Sequence, residues 1–346
     1  MAYTTVNKST DYFNTKLYTG NGSTQSITGV GFQPDLVWIK DRDATNSNPI
    51  YDVIRGATKR LQSDTSDAES TKSNGLTSFD SDGFSVGSAG QNNANGDNIV
   101  AWNWLADNTS GSSNTDGTIT STVSANTTAG FSIVQYTGNS TSGATVGHGL
   151  GVVPKLIIVK TTARAGNWVM YHNTLGATKY MELNNAATVG TSTAAFNDTE
   201  PNSSVFSLGS WSNTNDNGYG MIAYCFAEKP GYSKFGSYTG NGSTDGPFVY
   251  TGFKPAFLLI KSSTYPGNWL LYDNKREIQN ITSGTPVNAN EANPESTATN
   301  YAIDFLSNGF KLRNNNGNIQ NNNETMFYMA FGQSLVGSNN VPCTAI

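Results

Sequence analysis

A short phrase written three times constrains this chain more than any other feature. Tyr18-Thr19-Gly20-Asn21-Gly22-Ser23 returns as Tyr136-Thr137-Gly138-Asn139-Ser140 and as Tyr238-Thr239-Gly240-Asn241-Gly242-Ser243. Each copy is followed by a proline and an apolar run that ends in lysine. The three runs are Pro34 to Lys40 through Leu36-Val37-Trp38-Ile39, Pro154 to Lys160 through Leu156-Ile157-Ile158-Val159, and Pro255 to Lys261 through Phe257-Leu258-Leu259-Ile260. The prolines stand 120 and 101 residues apart. Solenoid units are shorter, roughly 20 to 50 residues. The spacing matches a whole small domain of roughly 100 to 150 residues. The expectation is three tandem homologous modules, 1–108, 109–230 and 231–346.

The third copy shows the pattern of one module most clearly. Residues 235–239 are short, aromatic and β-prone, and Asn241-Gly242 is a favoured turn pair. Phe248-Val249-Tyr250 then reads as the return strand. Residues 257–260 form an unbroken apolar run, the mark of a strand buried on both faces or at the sandwich core, and Lys261 is expected at its rim. Residues 268–273 follow as the second arm of a hairpin with a long tip, echoed by 167–172 and 48–52. Two more strands close each module. The first lies at 79–87, 205–209 and 305–312, the second at 99–104, 221–226 and 326–331, with Asn-rich loops between them. Six or more short strands with regular turn signals predict an all-β chain of antiparallel, jelly-roll-like sandwiches. The linker at 107–114 is flexible by composition, and the one near Lys229-Pro230-Gly231 is short. Modules two and three are therefore expected to be held more rigidly than one and two.

Composition removes several function classes. The net charge is −5 and the pI about 5.0, so nothing neutralises a run of phosphates and nucleic-acid binding is not expected. Charged residues are 13%, about half the usual ~25%, with Asn, Ser, Thr and Gly in their place. An 11% aromatic content argues against disorder. Cys225 and Cys343 sit in different modules and make no disulfide framework. The first eight residues lack the apolar core of a signal peptide, and no stretch approaches the ~20 apolar residues of a membrane span. Membrane insertion and the secretory route are not expected.

Catalytic chemistry finds little support. His148 and His172 are the two histidines, so a Ser-His-Asp arrangement or a zinc cluster is not expected. Asp80, Asp82 and Glu182 do not recur in register as a glycosidase pair. Residues 213–218 resemble half a calcium loop, but position twelve is Tyr224 rather than Glu. Gly20-Asn21-Gly22 lacks the helix and lysine of a phosphate loop. No catalytic residue, metal or cofactor is expected. Trp168, Tyr171, Trp269 and Tyr272 alternate along strands and read as core. Trp211, Tyr219 and Tyr265 lie among polar loop residues and are the candidate ligand-binding side chains, because loops at a sandwich end commonly carry binding.

Residues 1–13 (MAYTTVNKSTDYF), the phrase at 18–23, Gly31-Phe32-Gln33-Pro34 and residues 229–242 (KPGYSKFGSYTGNG) resemble a family of repeat-containing virion structural proteins of marine tailed phages. That resemblance covers nearly the whole chain. It implies a tail-fibre-like or decoration-like protein on the virion surface, made in the host cytoplasm, whose domain carries no assigned chemistry. The implied partners are other virion proteins, further copies of the chain (a trimer by analogy) and a host surface glycan or protein. The first module, with the looser tether, is the expected virion anchor. The middle module departs from the pattern at Asn139-Ser140 and at His148-Gly149-Leu150-Gly151.

Overall fold

The computed structural model describes residues 4–276 and 284–334; Cys343 and the first three residues of the opening motif lie outside the described residues. The first repeat forms β1 (Phe13–Thr19), β2 (Gln25–Thr28), β3 (Leu36–Asp41), β4 (Pro49–Asp52), β5 (Lys59–Gln62), β6 (Ser70–Thr71), β7 (Leu76–Asp80), β8 (Gly83–Val86), the single turn α1 (Gly90–Asn93) and β9 (Asn98–Trp104). The second forms β10 (Ser112–Asn114), β11 (Ser121–Asn126), β12 (Phe131–Thr137), β13 (Ala144–Gly147), β14 (Leu156–Thr161), β15 (Val169–His172), β16 (Lys179–Glu182), β17 (Gly190–Thr191), α2 (Thr193–Phe196), β18 (Val205–Leu208), α3 (Ser212–Asn215) and β19 (Gly220–Phe226). The third forms β20 (Ser233–Thr239), β21 (Phe248–Tyr250), β22 (Lys254–Ser262), β23 (Leu270–Asp273), β24 (Val287–Asn288), β25 (Ile303–Leu306), β26 (Gly309–Leu312), α4 (Gly317–Gln320) and β27 (Thr325–Gln333).

Each repeat builds one large and one small antiparallel sheet. The large sheets run β1-β9-β3-β4-β5-β6, β10-β11-β12-β19-β14-β15-β16-β17 and β20-β27-β22-β23-β24. The small sheets are β2-β8-β7, β13-β18 and β21-β26-β25. The chain is all-β, with the closing strand always between the opening strand and the lysine strand. The lysine-strand hairpin forms as expected, with Phe257 opposite Asp273 and Ile260 opposite Leu270. Two expectations are corrected. β21 is not the return partner of β20: it pairs with β26, so the repeated phrase crosses from the large sheet to the small one. Residues 79–87 are not one strand, because Ser81-Asp82 turns them into the β7–β8 hairpin.

The apolar lysine strands are buried on both faces, and alternation shows by what. Val37 and Ile39 face Ile27, Phe84 and Val86 of their own small sheet. Leu36 and Trp38 face the other way, into a cluster that also holds Leu156, Ile158, Phe257 and Leu259. The largest core is therefore shared by all three repeats. Rings from each meet there: Phe331 lies 5.4 Å from Phe13, 5.8 Å from Trp104 and 5.8 Å from Phe226. Such pairs contribute about 0.5–1.5 kcal/mol each beyond burial.

Three seams join the large sheets in cyclic order, by the same bonds each time. Lys40 Nζ donates to Ala292 O at 2.8 Å, Lys160 Nζ to Ser66 O at 3.2 Å and Lys261 Nζ to Ala186 O at 3.2 Å. Trp168 Nε1 donates to Gln62 O at 2.9 Å and Trp269 Nε1 to Glu182 O at 2.8 Å. Asn48 stands where these indoles belong, and its side-chain amide supplies the missing donor to Asn288 O at 3.0 Å. Backbone bonds complete the set: Glu69 N to Thr162 O, Val189 N to Ser263 O and Glu295 N to Arg42 O. The lysines are thus not rim charges; all three are at most 1% exposed. The 107–114 linker is not loose either. Asp35 Oδ2 accepts from the backbone N–H of Ala106 and Asn108, and β10 pairs with β11. The seam on each side of the second repeat has the same bonds, so no difference in tethering between modules is visible.

A polar network crosses two seams and is replaced as a unit in the third. Asp52 pairs with Arg55 at 2.5 Å and accepts from Tyr224 Oη at 2.7 Å, and Arg55 reaches Glu69 at 3.3 Å. Asp273 pairs with Arg276 at 2.7 Å and accepts from Trp102 Nε1 at 3.1 Å, and Arg276 reaches Glu295 at 2.9 Å. The matching positions of the second repeat hold His172, Leu175 and Val189, and strand register puts Met329 where Tyr224 and Trp102 stand. His172 is the last residue of β15 and is buried there. It is 2% exposed, 3.3 Å from Tyr328 O and against the Phe327 ring, and burial pushes it down to about 4.

The phrase itself is explained by contacts that recur. Tyr18, Tyr136 and Tyr238 each donate at 2.6 Å to a carbonyl of the following helical turn, at Asn92, Thr214 and Ile319. A Cβ on Gly20, Gly138 or Gly240 would lie 2.0–2.3 Å from a carbonyl oxygen of the same loop. Buried Asn93 and Asn215 each accept from the backbone N–H of the phrase asparagine, and Gln320 donates to Asn241 Oδ1. The Asn-rich loops thus carry α1, α3 and α4, with Asn215 of the calcium-like stretch occupied in holding the phrase.

Two outcomes are expected. Gly20→Ala lowers stability by about 1–3 kcal/mol in urea unfolding, whereas Gly90→Ala, with open space around it, stays within about 0.5 kcal/mol. Burial holds Lys40, Lys160 and Lys261 at about 8, below their ordinary 10.5. Between those values the unfolded chain binds more protons, so these lysines make stability rise with pH from about 8 to 10.5 and add no slope below. Lys160→Met removes its share, up to about 1.4 kcal/mol per pH unit, measured as the wild-type minus variant difference at pH 8 and pH 10.

Candidate binding surface

Three loops meet at one end of each sandwich: the phrase, the loop after the helical turn and the loop after the lysine. The same bonds tie them in every repeat. Gly20, Gly138 and Gly240 donate to Asp97, Tyr219 and Glu324 carbonyls, while Arg42, Thr162 and Ser263 donate to Asn98, Gly220 and Thr325. A fixed backbone therefore carries different side chains. The first repeat presents Asp43 and Asp97, while Asp41 is buried. Asp41 is taken up by the N–H groups of Asp43 and Ala44 and by Asn46. The second presents the Arg164–Asp216 pair beside Tyr219. The third presents Tyr265.

The three candidate aromatics fare differently. Tyr219 is 43% and Tyr265 42% exposed. Tyr265 lies over Gly317, where an added Cβ would sit 3.4 Å from its ring. Around it are Asn318, whose Oδ1 accepts from Asn268 N at 3.2 Å, and Glu324, which accepts from Thr264 and from Ser262 at 2.7 Å. Burial would raise the Glu324 carboxyl, but the Thr264, Ser262 and Asn321 hydrogen bonds hold it below its usual range. An open aromatic face bordered by amides and a charged carboxylate is suited to a neutral polyhydroxylated ligand. Trp211 is half-buried instead, packed edge-on against Tyr180 at 4.8 Å. It supports the loop rather than offering a face. Among the described residues no ring contact joins Trp211, Tyr219 and Tyr265.

The remaining polar candidates are bound into the scaffold. Asp80 accepts from Ser78 and Ser85, Asp82 from the N–H groups of Gly29 and Gly31, and Glu182 from Asn167 and Asn185. His148 is buried with its ring between Asn202 O and Leu150 N, and burial lowers its pKa. Cys225 is buried, which raises its thiol. Among the described residues no group of three or more His, Cys, Asp or Glu is placed to hold a metal, and no helix is long and apolar enough to cross a membrane.

Sequence reasoning passed over Phe248 and Tyr250, which are 45% and 55% exposed on the outer face of β21. Their signal was available in register. The corresponding positions are Ser26 and Thr28 in the first repeat and Thr145 and Gly147 in the second.

No curated protein and no solved structure matches this chain. Residues 8–334 match the model of a family described as Domain of unknown function (DUF7483), and the chain belongs to that family.

Proposed function

We propose that this is a non-enzymatic bacteriophage virion surface protein, a tail-fibre-type component that recognises a host-surface glycan or protein through its sandwich-end loops. The observation that carries the proposal is the Tyr265 patch: an exposed ring held against Gly317, with Asn318 and Glu324 at its border, on a backbone otherwise identical in bonding to its two counterparts. Carbohydrate recognition needs such a face to be rigid, because ordering a loop on binding subtracts from affinity. Three walls around one core supply that rigidity. The low-charge, amide-rich surface suits an exposed particle component.

A second reading is a capsid decoration or tail accessory protein acting through protein–protein contacts. Exposed Phe248 and Tyr250 favour it, since an apolar pair on an edge strand suits a polypeptide better than a sugar.

A glycan array with the full chain and its Tyr219→Ala and Tyr265→Ala variants tests the first reading. Binding is expected, with at least about a tenfold loss in Tyr265→Ala. Absence of binding, or equal binding by both variants, removes the site. Imaging of particles carrying a labelled chain is expected to place it at the tail periphery, and label spread over the capsid shell overturns the host-recognition role.

A further inference from the structure

One flank of each sandwich exposes two edges, that of the opening strand in the large sheet and that of the adjoining strand in the small sheet. The second repeat covers both with its own chain. β11 pairs with β12, and just before it Ile119 bridges Val146 on the free side of β13, with Ile119 N donating to Thr145 O at 2.9 Å. Ser121 Oγ donates to Gly147 O at 2.9 Å, and Ile119 and Val123 enter the core. The first repeat leaves the flank uncovered but polar: Ser26 bonds Ser85, and Gln25 donates to Thr19 O. Among the described residues, neither device is present in the third repeat. β20 and β21 are terminal strands of their sheets, and β21 turns Phe248 and Tyr250 outward, with Lys234 Nζ 5.8 Å from the Tyr250 ring. Burial beneath follows the cover: Val146 and Tyr136 are 0% and 3% exposed, whereas their counterparts Val249 and Tyr238 are 6% and 9%.

We propose that this flank of the third repeat is a docking site for one extended strand of a partner protein, low in charge and rich in small and β-branched side chains. The strand would pair along the free edge of β20 and cross to β21 at one residue, whose apolar side chain would cover Val249 and Tyr238. Residues 115–126 of this chain are the template, because they do the same for the middle repeat. Free edges of this kind are blunted by charge, proline or cover, and strand addition gives affinity through the main chain and selectivity through alternate side chains. Phe248 and Tyr250 supply that selectivity. The site is independent of the end loops.

The probe is a synthetic peptide of residues 115–126 added to the full chain. Saturable binding is expected, weakened at least about tenfold by Phe248→Asp or Tyr250→Asp, lost with an Ile119→Asp peptide, and unchanged in Tyr265→Ala. Both chain positions are exposed, and matching circular dichroism and urea midpoints verify that the variants fold. Absence of saturable binding, or binding indifferent to both Asp variants, overturns the proposal. Self-association of the wild type that Tyr250→Asp abolishes in sedimentation also overturns it, by assigning the flank to a second copy.

Discussion

Everything in this structure depends on burial of the inner faces of three large sheets against one another. A lysine strand such as Leu36–Asp41 is apolar on both sides, and its own small sheet covers one. The other side has no solvent-compatible surface, so a single repeat leaves Leu36, Trp38, Trp102 and Trp104 without cover. The polar groups at the seams follow from that. A buried ammonium is costly unless its hydrogen bonds are made, and each lysine makes them to carbonyls of its own and the neighbouring repeat. Association, charge placement and the fixed backbone of the end loops are consequences of the same packing.

The carboxylate–arginine networks show how such a seam tolerates change. Removing one member of a buried pair strands the other, at a cost of about 3–5 kcal/mol, whereas replacing the whole set with apolar groups is often neutral. The second repeat follows that rule within one molecule. Aspartate, arginine and glutamate become His172, Leu175 and Val189, and the facing donor becomes Met329. Leu175 and Val189 pack on the shared core where the charged network would lie.

Much of this was legible in the residues, for physical reasons that also explain what was not. Tyr18-Thr19-Gly20 and its copies identify a scaffold turn, because a hydroxyl, a hydrogen in place of Cβ and an amide each meet a fixed partner. Strand positions followed from alternation and turn residues. The shared core did not, since Trp38 and Val37 look alike as buried residues, and the pattern names a strand's two faces without saying what lies against each. The rim position assigned to Lys261 failed similarly: a cation at a strand end is ordinarily solvated, and its acceptors Ala186 and Gly267 lie 75 and 6 residues away. Trp211 was singled out for polar neighbours, yet Tyr180, distant in sequence, takes its ring. Phe248 and Tyr250 became visible once register aligned them with Ser26, Thr28, Thr145 and Gly147.

Cyclic order among the seams has a further meaning. In a linear array the outermost units have one neighbour each and fray first. Here the first repeat is bonded to the third through Lys40, Asn48 and the paired Arg42–Glu295 as fully as to the second. A ring has no end unit. Opening any repeat breaks two seams at once, which suppresses the partial openings on which proteases act, and the molecule persists or is lost as a whole.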